Sequence, residues 1–127
     1  MEKLSKIKTK KLYDRCLNLA RRKPPEFFHL RKMRGVHGYC NWTDLEFNPA
    51  GQLLSTAYHE CIHYLEPDWS ETQVMYAESR IRNVITNLEH ALFLKHVSMK
   101  LYKSELQKHI LNRPKKKKKK LATAKKN

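Results

Sequence analysis

Two histidines separated by four positions stand in the stretch "YHECIHY", residues 58–64. On an α-helix, residues i and i+4 lie one turn apart on the same face, so His59 and His63 could direct ring nitrogens toward one ion. Imidazole is a favoured zinc ligand. Glu60 is rotated about 100° from His59, so it would not bind the metal but could take a proton from a water that the metal acidifies. The pattern predicts one Zn²⁺ ion in a hydrolytic site, with Glu60 as general base.

A third ligand is needed, because catalytic zinc usually has three protein ligands and one open position. Glu71 is the first choice, since the intervening "LEPDWS" is long enough to reverse the chain and return the next helix to the site. Glu78 projects from nearly the same face, almost two turns further on. It is the alternative third ligand, or an acceptor for the N–H of a ligating histidine. Both glutamates also fit an ordinary solvated helix surface, and Glu66 and Asp68 in the loop are further candidates.

The elements that would position these residues are predicted from periodicity and composition. Residues 4–22 form an amphipathic helix that ends at the Pro24-Pro25 pair. Residues 26–32 and 39–47 are short and rich in aromatic side chains, which predicts a hairpin or two neighbouring strands. The HECIH helix follows from Gln52 to Pro67. The predicted buried residues are Leu4, Ile7, Leu12, Cys16 and Leu19 in the first helix and Leu54, Ala57, Tyr58, Cys61 and Leu65 in the second.

A long helix is predicted after the site. Ser70 with Gln73 three residues later is typical of a helix start, and Glu71 lies in the first turn, where the helix dipole favours an acid. The helix runs on to Ile110 or breaks near Ser98. Its predicted buried stripe is Val74, Ala77, Ile81, Val84, Ile85, Leu88, Ala91 and Leu92. We expect one domain over residues 1–113 and a disordered Lys-rich tail over residues 114–127.

Charge is unevenly distributed along the 127 residues: the net charge is +9 over residues 1–40, −6 over 41–80 and +12 over 81–127. The acidic middle third contains the HECIH stretch, which suits a divalent cation and would repel a polyanion. The chain has no apolar run long enough to cross a membrane and no secretory signal, and its three cysteines have no regular spacing. We therefore expect a cytoplasmic monomer with free thiols and no membrane partner.

Residues 45–81, "LEFNPAGQLLSTAYHECIHYLEPDWSETQVMYAESRI", resemble the compact metallopeptidase-like proteins of phages and bacteria related to SprT-like zincins. The resemblance implies an α+β fold of the minimal zincin-like kind: an N-terminal helix, a sheet of two or three strands, the HExxH helix and a long helix packed against it. It places His59 and His63 at metal positions, Glu60 at the catalytic position and Glu71 at the downstream acidic position. It also implies a protein or peptide substrate, which zincins commonly bind along an edge strand; residues 39–47 are the candidate. SprT-like enzymes tend to use a third histidine, and this chain has none soon after His63.

A different class of function also fits the sequence. The basic tail could bind nucleic acid through salt-sensitive phosphate contacts, although no aromatic residues are interleaved to read bases. The protein would then be a basic nucleic-acid-associated protein with a structural or vestigial metal site, or one that acts on DNA-bound proteins. A zinc-dependent ribonuclease fits less well, because those sites use three histidines. The lysines concerned are Lys115, Lys116, Lys117, Lys118, Lys119 and Lys120.

Overall fold

The computed structural model describes residues 3–31, 38–40, 43–47 and 52–111, without the side chain of Tyr39. The described residues form an α+β fold that is mostly helical, which confirms the predicted class. The predicted tail over residues 114–127 lies outside the described residues. The elements in chain order are α1 (Lys6–Arg22), a 3-10 turn (Pro25–Phe27), β1 (Phe28–Leu30), β2 (Gly38–Cys40), β3 (Leu45–Phe47), α2 (Leu53–Leu65), α3 (Glu71–Val84) and α4 (Asn87–Leu111).

The described strands form a small mixed sheet in the order β1-β3-β2. β1 pairs with β3 in parallel, and β2 pairs with β3 antiparallel. The prediction of one strand over residues 39–47 is therefore wrong, because the stretch folds into two strands. Residues 41–44 contain Asn41 and Asp44, types that favour turns over strand interiors. The hairpin is formed by β2 and β3, whereas β1 reaches β3 only as a parallel neighbour.

Helix α1 begins and ends near the predicted positions, with Ser5 as its N-cap. Its buried face includes Leu12, Cys16 and Leu19, as predicted. Ile7, however, is 70% exposed, so its predicted burial is wrong. Cys16 lies nine positions after Ile7, and at about 100° per residue this places Ile7 on the opposite side of the helix. The buried position near that end of α1 belongs to Thr9.

The chain divides into α3 and α4 at Ile85 and Thr86, and not near Ser98 as one prediction had it. Thr86 forms a capping box with Glu89: the backbone N–H of Glu89 donates to Thr86 Oγ1 at 3.2 Å, and that of Thr86 donates to Glu89 Oε1 at 3.1 Å. These bonds satisfy the first amides of α4 and favour a new helix start. The predicted stripe is buried at Val74, Ala77, Ile81 and Ile85 and half-buried at Val84. It is wrong for Leu88, Ala91 and Leu92, which are exposed, Leu88 by 81%.

One core connects all of these elements, from Leu4 to Leu101. Tyr58 of α2 lies near its centre, with its ring stacked on Phe93 of α4 at a centroid distance of 4.2 Å. Tyr58 also donates a hydrogen bond to His90 Nδ1 at 2.8 Å. Buried aromatic pairs of this kind fix the rotation of a helix about its axis, because a turn of α2 would expose the ring. The core therefore determines which residues of α2 are left to face α3 and the sheet.

Candidate metal centre

Helix α2 presents three separate sides to its surroundings. Ala57, Tyr58, Cys61 and Ile62 are fully buried in the core, which confirms the prediction that Cys61 is a small buried hydrophobe. A second side carries Thr56 and Glu60 toward β2. The third side carries His59 and His63 toward α3, and their rings lie 4.8 Å apart between centroids. The i, i+4 spacing produces this pairing, since it places two side chains on one face of a helix.

Glu71 lies between the two imidazoles. Its Oε2 atom is 2.8 Å from Nε2 of His59, and its Oε1 atom is 2.8 Å from Nε2 of His63. Glu71 is the first residue of α3, and Ser70 caps that helix by accepting a hydrogen bond from the backbone N–H of Gln73. A carboxylate at this end of a helix is stabilised by the helix dipole. The predicted reversal of the chain over "LEPDWS" does bring the start of α3 back to α2.

The ligand atoms of His59, His63 and Glu71 lie within 4.8 Å of one another, so this group could hold a metal ion. At Zn–N and Zn–O distances of about 2.0–2.2 Å, tetrahedral geometry places ligand atoms roughly 3.3 Å apart. The contacts of 2.8 Å between Glu71 and the histidines would have to widen by about half an ångström to reach that separation, and the longest separation in the group, up to 4.8 Å, would have to shorten by about 1.5 Å. Glu71 is also mostly exposed, which leaves solvent access on its side of the group.

Glu78, the alternative third ligand, contacts the other ring nitrogen of His59. His59 Nδ1 donates a hydrogen bond to Glu78 Oε1 at 3.1 Å, so Glu78 lies on the far side of the ring from Nε2. Arg82 donates to Glu78 Oε2 at 3.1 Å, and Ser55 also hydrogen-bonds to it. These contacts fix the Glu78 carboxylate where it orients His59. This geometry matches the acceptor role that the sequence left open for Glu78.

The electrostatics of the group follow from these contacts. The hydrogen bond to Glu78 raises the pKa of His59, with Glu71 and Glu60 adding to this effect and burial opposing it. For Glu78, burial favours the neutral acid, but the bond from His59 and the charge of Arg82 outweigh it and lower the pKa. Each ring nitrogen of His59 thus contacts a carboxylate. A metal cation bound to Nε2 in place of the proton would be stabilised by the same negative charges.

Glu60 is buried on the side of α2 that faces the sheet. Burial raises its pKa to about 7; His59 counteracts this shift, while Glu71 and Glu78 add to it. Among the described residues none donates a hydrogen bond to its carboxylate. β2 approaches closely because position 38 is glycine: a Cβ atom there would lie 3.0 Å from Glu60 Cγ and 2.6 Å from Thr56 Cγ2. The sheet edge and the predicted general base are therefore in direct contact.

Other sequence candidates are placed elsewhere. Glu66 forms an ion pair with Arg15 at 2.6 Å, which ties the end of α2 to α1. Asp68 is exposed in the loop. The tail lysines at 115–120 lie outside the described residues. Sequence reasoning missed Arg82 and Gly38; the i, i+4 spacing of Glu78 and Arg82 is a signal that could have indicated the first.

Comparisons with protein-family models, with curated proteins and with solved structures found no match. The resemblance to SprT-like zincins therefore stays an expectation from the sequence, and the function proposed below rests on the geometry of the described residues. No helix among those residues is both long and apolar enough to cross a lipid bilayer.

Proposed function

We propose that this protein is a zinc-dependent metallopeptidase, with His59, His63 and Glu71 as the metal ligands and Glu60 as the general base. The observation that carries the proposal is one carboxylate in contact with two imidazoles, each through Nε2 and each at 2.8 Å. Two histidines and one glutamate are a donor set that catalytic zinc uses, with the fourth position open. A zinc ion bound there would acidify a water molecule and polarise the carbonyl group of a substrate.

Glu60 suits the proton-transfer step. Its carboxylate receives no hydrogen bond from the described residues, and burial raises its pKa to about 7 in the metal-free protein, so that it can hold a proton near neutral pH. In the proposed reaction Glu60 accepts a proton from the attacking water and then donates it to the leaving amine. His59 and Glu71 lie close enough to shift the pKa of Glu60, so the charge of the proposed base depends on the charges of the proposed ligands.

The sheet edge supports a peptide substrate. β2 has one strand neighbour among the described residues, β3, and its other edge pairs with no described strand. An extended peptide could add there through main-chain hydrogen bonds. Because Gly38 of β2 lies against Glu60, such a peptide would have its backbone close to the general base. The predicted substrate strand over residues 39–47 folds into β2 and β3, and β2 is the one proposed to bind the peptide.

The proposal is tested with protein made without an affinity tag, by metal analysis and by hydrolysis of a fluorogenic peptide library. Wild type should hold one zinc per chain and cleave peptides. Glu60→Gln should keep the zinc and lose roughly 10²–10⁴-fold in turnover, the usual contribution of a general base. His59→Ala should lose both, and the exposed Glu26→Gln should lose neither. A wild-type protein without stoichiometric zinc would overturn the proposal.

A second candidate, nucleic-acid binding, is favoured by the surface of α1. Seven basic residues of this helix are exposed, so the positive charge is not confined to the tail; they are Lys6, Lys8, Lys10, Lys11, Arg15, Arg21 and Arg22. Lysine and arginine on one surface attract phosphates without reading sequence. The two functions are compatible, because a polyanion held by α1 or by the tail would place proteins bound to that polyanion near the acidic metal centre.

A further inference from the structure

Helix α4 is apolar on two opposite sides. Its inner side, formed by Phe93, Val97, Leu101 and Ser104, is buried against the rest of the fold. A second apolar stripe, which we call the outer stripe, runs the length of the helix and is 39% to 81% exposed at every member. The spacing of its members by three, four or seven residues places them within about 40° of one line along the helix. The outer stripe consists of Leu88, Leu92, Met99, Tyr102, Leu106 and Ile110.

We propose that the outer stripe is the interface of a homodimer, in which α4 of a second copy of this chain lies antiparallel to it. A stripe of this length is unusual on a monomer, because large contiguous apolar patches normally mark an interaction site. The proposal is independent of the metal centre, since it rests on a different helix. It replaces the monomer expected from the sequence.

The stripe is complementary to itself when the second copy runs in the opposite direction. α4 spans Asn87–Leu111, so full antiparallel overlap places Met99 near the two-fold axis. Leu88 then faces Ile110 of the other copy, and Leu92 faces Leu106. Each apolar residue therefore meets another, as an interface that pairs one surface patch with itself requires. The contact can therefore form between two copies of this chain, without a different protein as the partner.

Charge also favours this direction. Lys95 is the charged residue within the stripe, and it lies on the same flank as Tyr102. In the antiparallel pair Lys95 lies one residue along the axis from Tyr102 of the other copy, on the same flank, where its ammonium group can make an attractive cation–π contact. Lys103 of the other copy is level with Lys95 but projects from the opposite flank. A parallel pair would instead set Lys95 against Lys95 and place both basic C-terminal segments side by side. Antiparallel packing separates those segments to opposite ends.

The available area is sufficient for a specific contact. The exposed parts of the six side chains amount to about three whole large side chains, or on the order of 500 Å² per chain at 150–250 Å² each. Two copies would thus bury roughly 1,000 Å² of apolar surface before any flanking residue is counted, near the lower bound for a specific interface. We therefore expect a dimer that dissociates on dilution.

Sedimentation equilibrium of the full chain over a range of concentrations tests the proposal. Wild type should approach twice the chain mass of 15.2 kDa, and Met99→Glu should remain a monomer with unchanged helix content. Met75→Glu is the matched control, because Met75 is an exposed methionine of α3 outside the stripe, and it should still dimerise. A wild type that stays monomeric, or a dimer that survives Met99→Glu, would overturn the proposal. So would a monomer whose stripe instead binds phosphatidylglycerol vesicles.

Oxidative cross-linking tests the direction. Chains with Met99→Cys should cross-link to each other, and Leu88→Cys chains should cross-link to Ile110→Cys chains. Leu88→Cys chains alone should not, because in the antiparallel pair those positions are about 33 Å apart along the helices. Efficient cross-linking of Leu88→Cys chains to one another would show a parallel pair and would overturn the antiparallel arrangement.

Discussion

Nδ1 of His59 donates a hydrogen bond to Oε1 of Glu78 at 3.1 Å, across the contact between α2 and α3. This bond fixes the tautomer and the ring orientation, so that Nε2 is the nitrogen presented to Glu71. Metal-ligating histidines generally have such a partner, which holds the ring in place and makes the ligating nitrogen more basic. The two acids of α3 therefore have different tasks around one imidazole: Glu71 at Nε2 and Glu78 at Nδ1.

We expect the two acids to differ in their effect on zinc affinity. Glu78→Ala should weaken zinc binding about 10–100-fold, because it removes the group that orients His59. Glu71→Ala should weaken it further and lower the stoichiometry, because it removes a ligand. Competition titration against a chromogenic chelator measures both affinities, and Glu66→Ala is the control for loss of a nearby acid. If Glu78→Ala abolished binding while Glu71→Ala retained it, Glu78 would be the third ligand.

The buried Glu60 predicts a pH dependence of stability in metal-free protein. Its pKa is about 7 in the fold against 4.5 for the free side chain, so the folded state retains a proton that the unfolded chain has lost. Stability should therefore fall as pH rises from about 4.5 to about 7, by up to about 3 kcal/mol from this group. Glu60→Gln cannot ionise and should remove this part of the decline.

Chemical denaturation in the presence of a chelator measures that effect. Below about pH 4.5 wild type and Glu60→Gln should be similarly stable, and above about pH 7 the variant should be more stable by about 2–3 kcal/mol. Glu26→Gln, an exposed position, reports the general effect of removing one acid. His59 contributes in the same direction, since its raised pKa gives stability that is lost at higher pH. An identical difference between variant and wild type at every pH would contradict the prediction.

Gly38 should be intolerant of a side chain, although it is in a strand and not in a turn. A Cβ atom at this position would lie 2.6 Å from Thr56 Cγ2 and 3.0 Å from Glu60 Cγ, closer than carbon atoms approach without movement. Gly38→Ala should lower the free energy of unfolding by about 1–3 kcal/mol, as overpacking usually does. It should also reduce peptide hydrolysis, because β2 or Glu60 must shift.

A double-mutant cycle identifies the cause. Thr56→Ser removes the methyl group that a Cβ at position 38 would meet and keeps the hydroxyl group, so Gly38→Ala should be less destabilising in that background. If the double variant has a higher free energy of unfolding than the sum of the two single effects predicts, the strain lies between β2 and α2. If Gly38→Ala left stability unchanged in both backgrounds, the close approach of β2 would be refuted.

The sequence was informative wherever a local pattern determined the structure. The i, i+4 spacing of His59 and His63 and the cap at Ser70 are local, and each was found from a few neighbouring residues. The division of residues 39–47 into two strands was missed because the aromatic-rich composition of the stretch was interpreted as one strand, whereas its two ends pair with each other as β2 and β3. The break before α4 had a local signal, Thr86 with Glu89, but the continuous apolar pattern obscured it. The choice between Glu71 and Glu78 required the rotation of α3 against α2, which only tertiary packing sets.

The basic tail gives a last prediction, which separates the second candidate function from the first. If residues 114–127 hold nucleic acid through its phosphates, their removal should weaken binding to a fluorescent DNA duplex and reduce the dependence of log K on log salt by about 0.9 for each phosphate that the tail neutralises. Glu60→Gln should leave this binding unchanged, because it removes no basic side chain. Replacing the lysines at 115–120 by glutamine is the matched control, since it keeps the length of the tail. DNA binding that persists with the same salt dependence after both changes would assign the phosphate-binding surface to α1 and not to the tail.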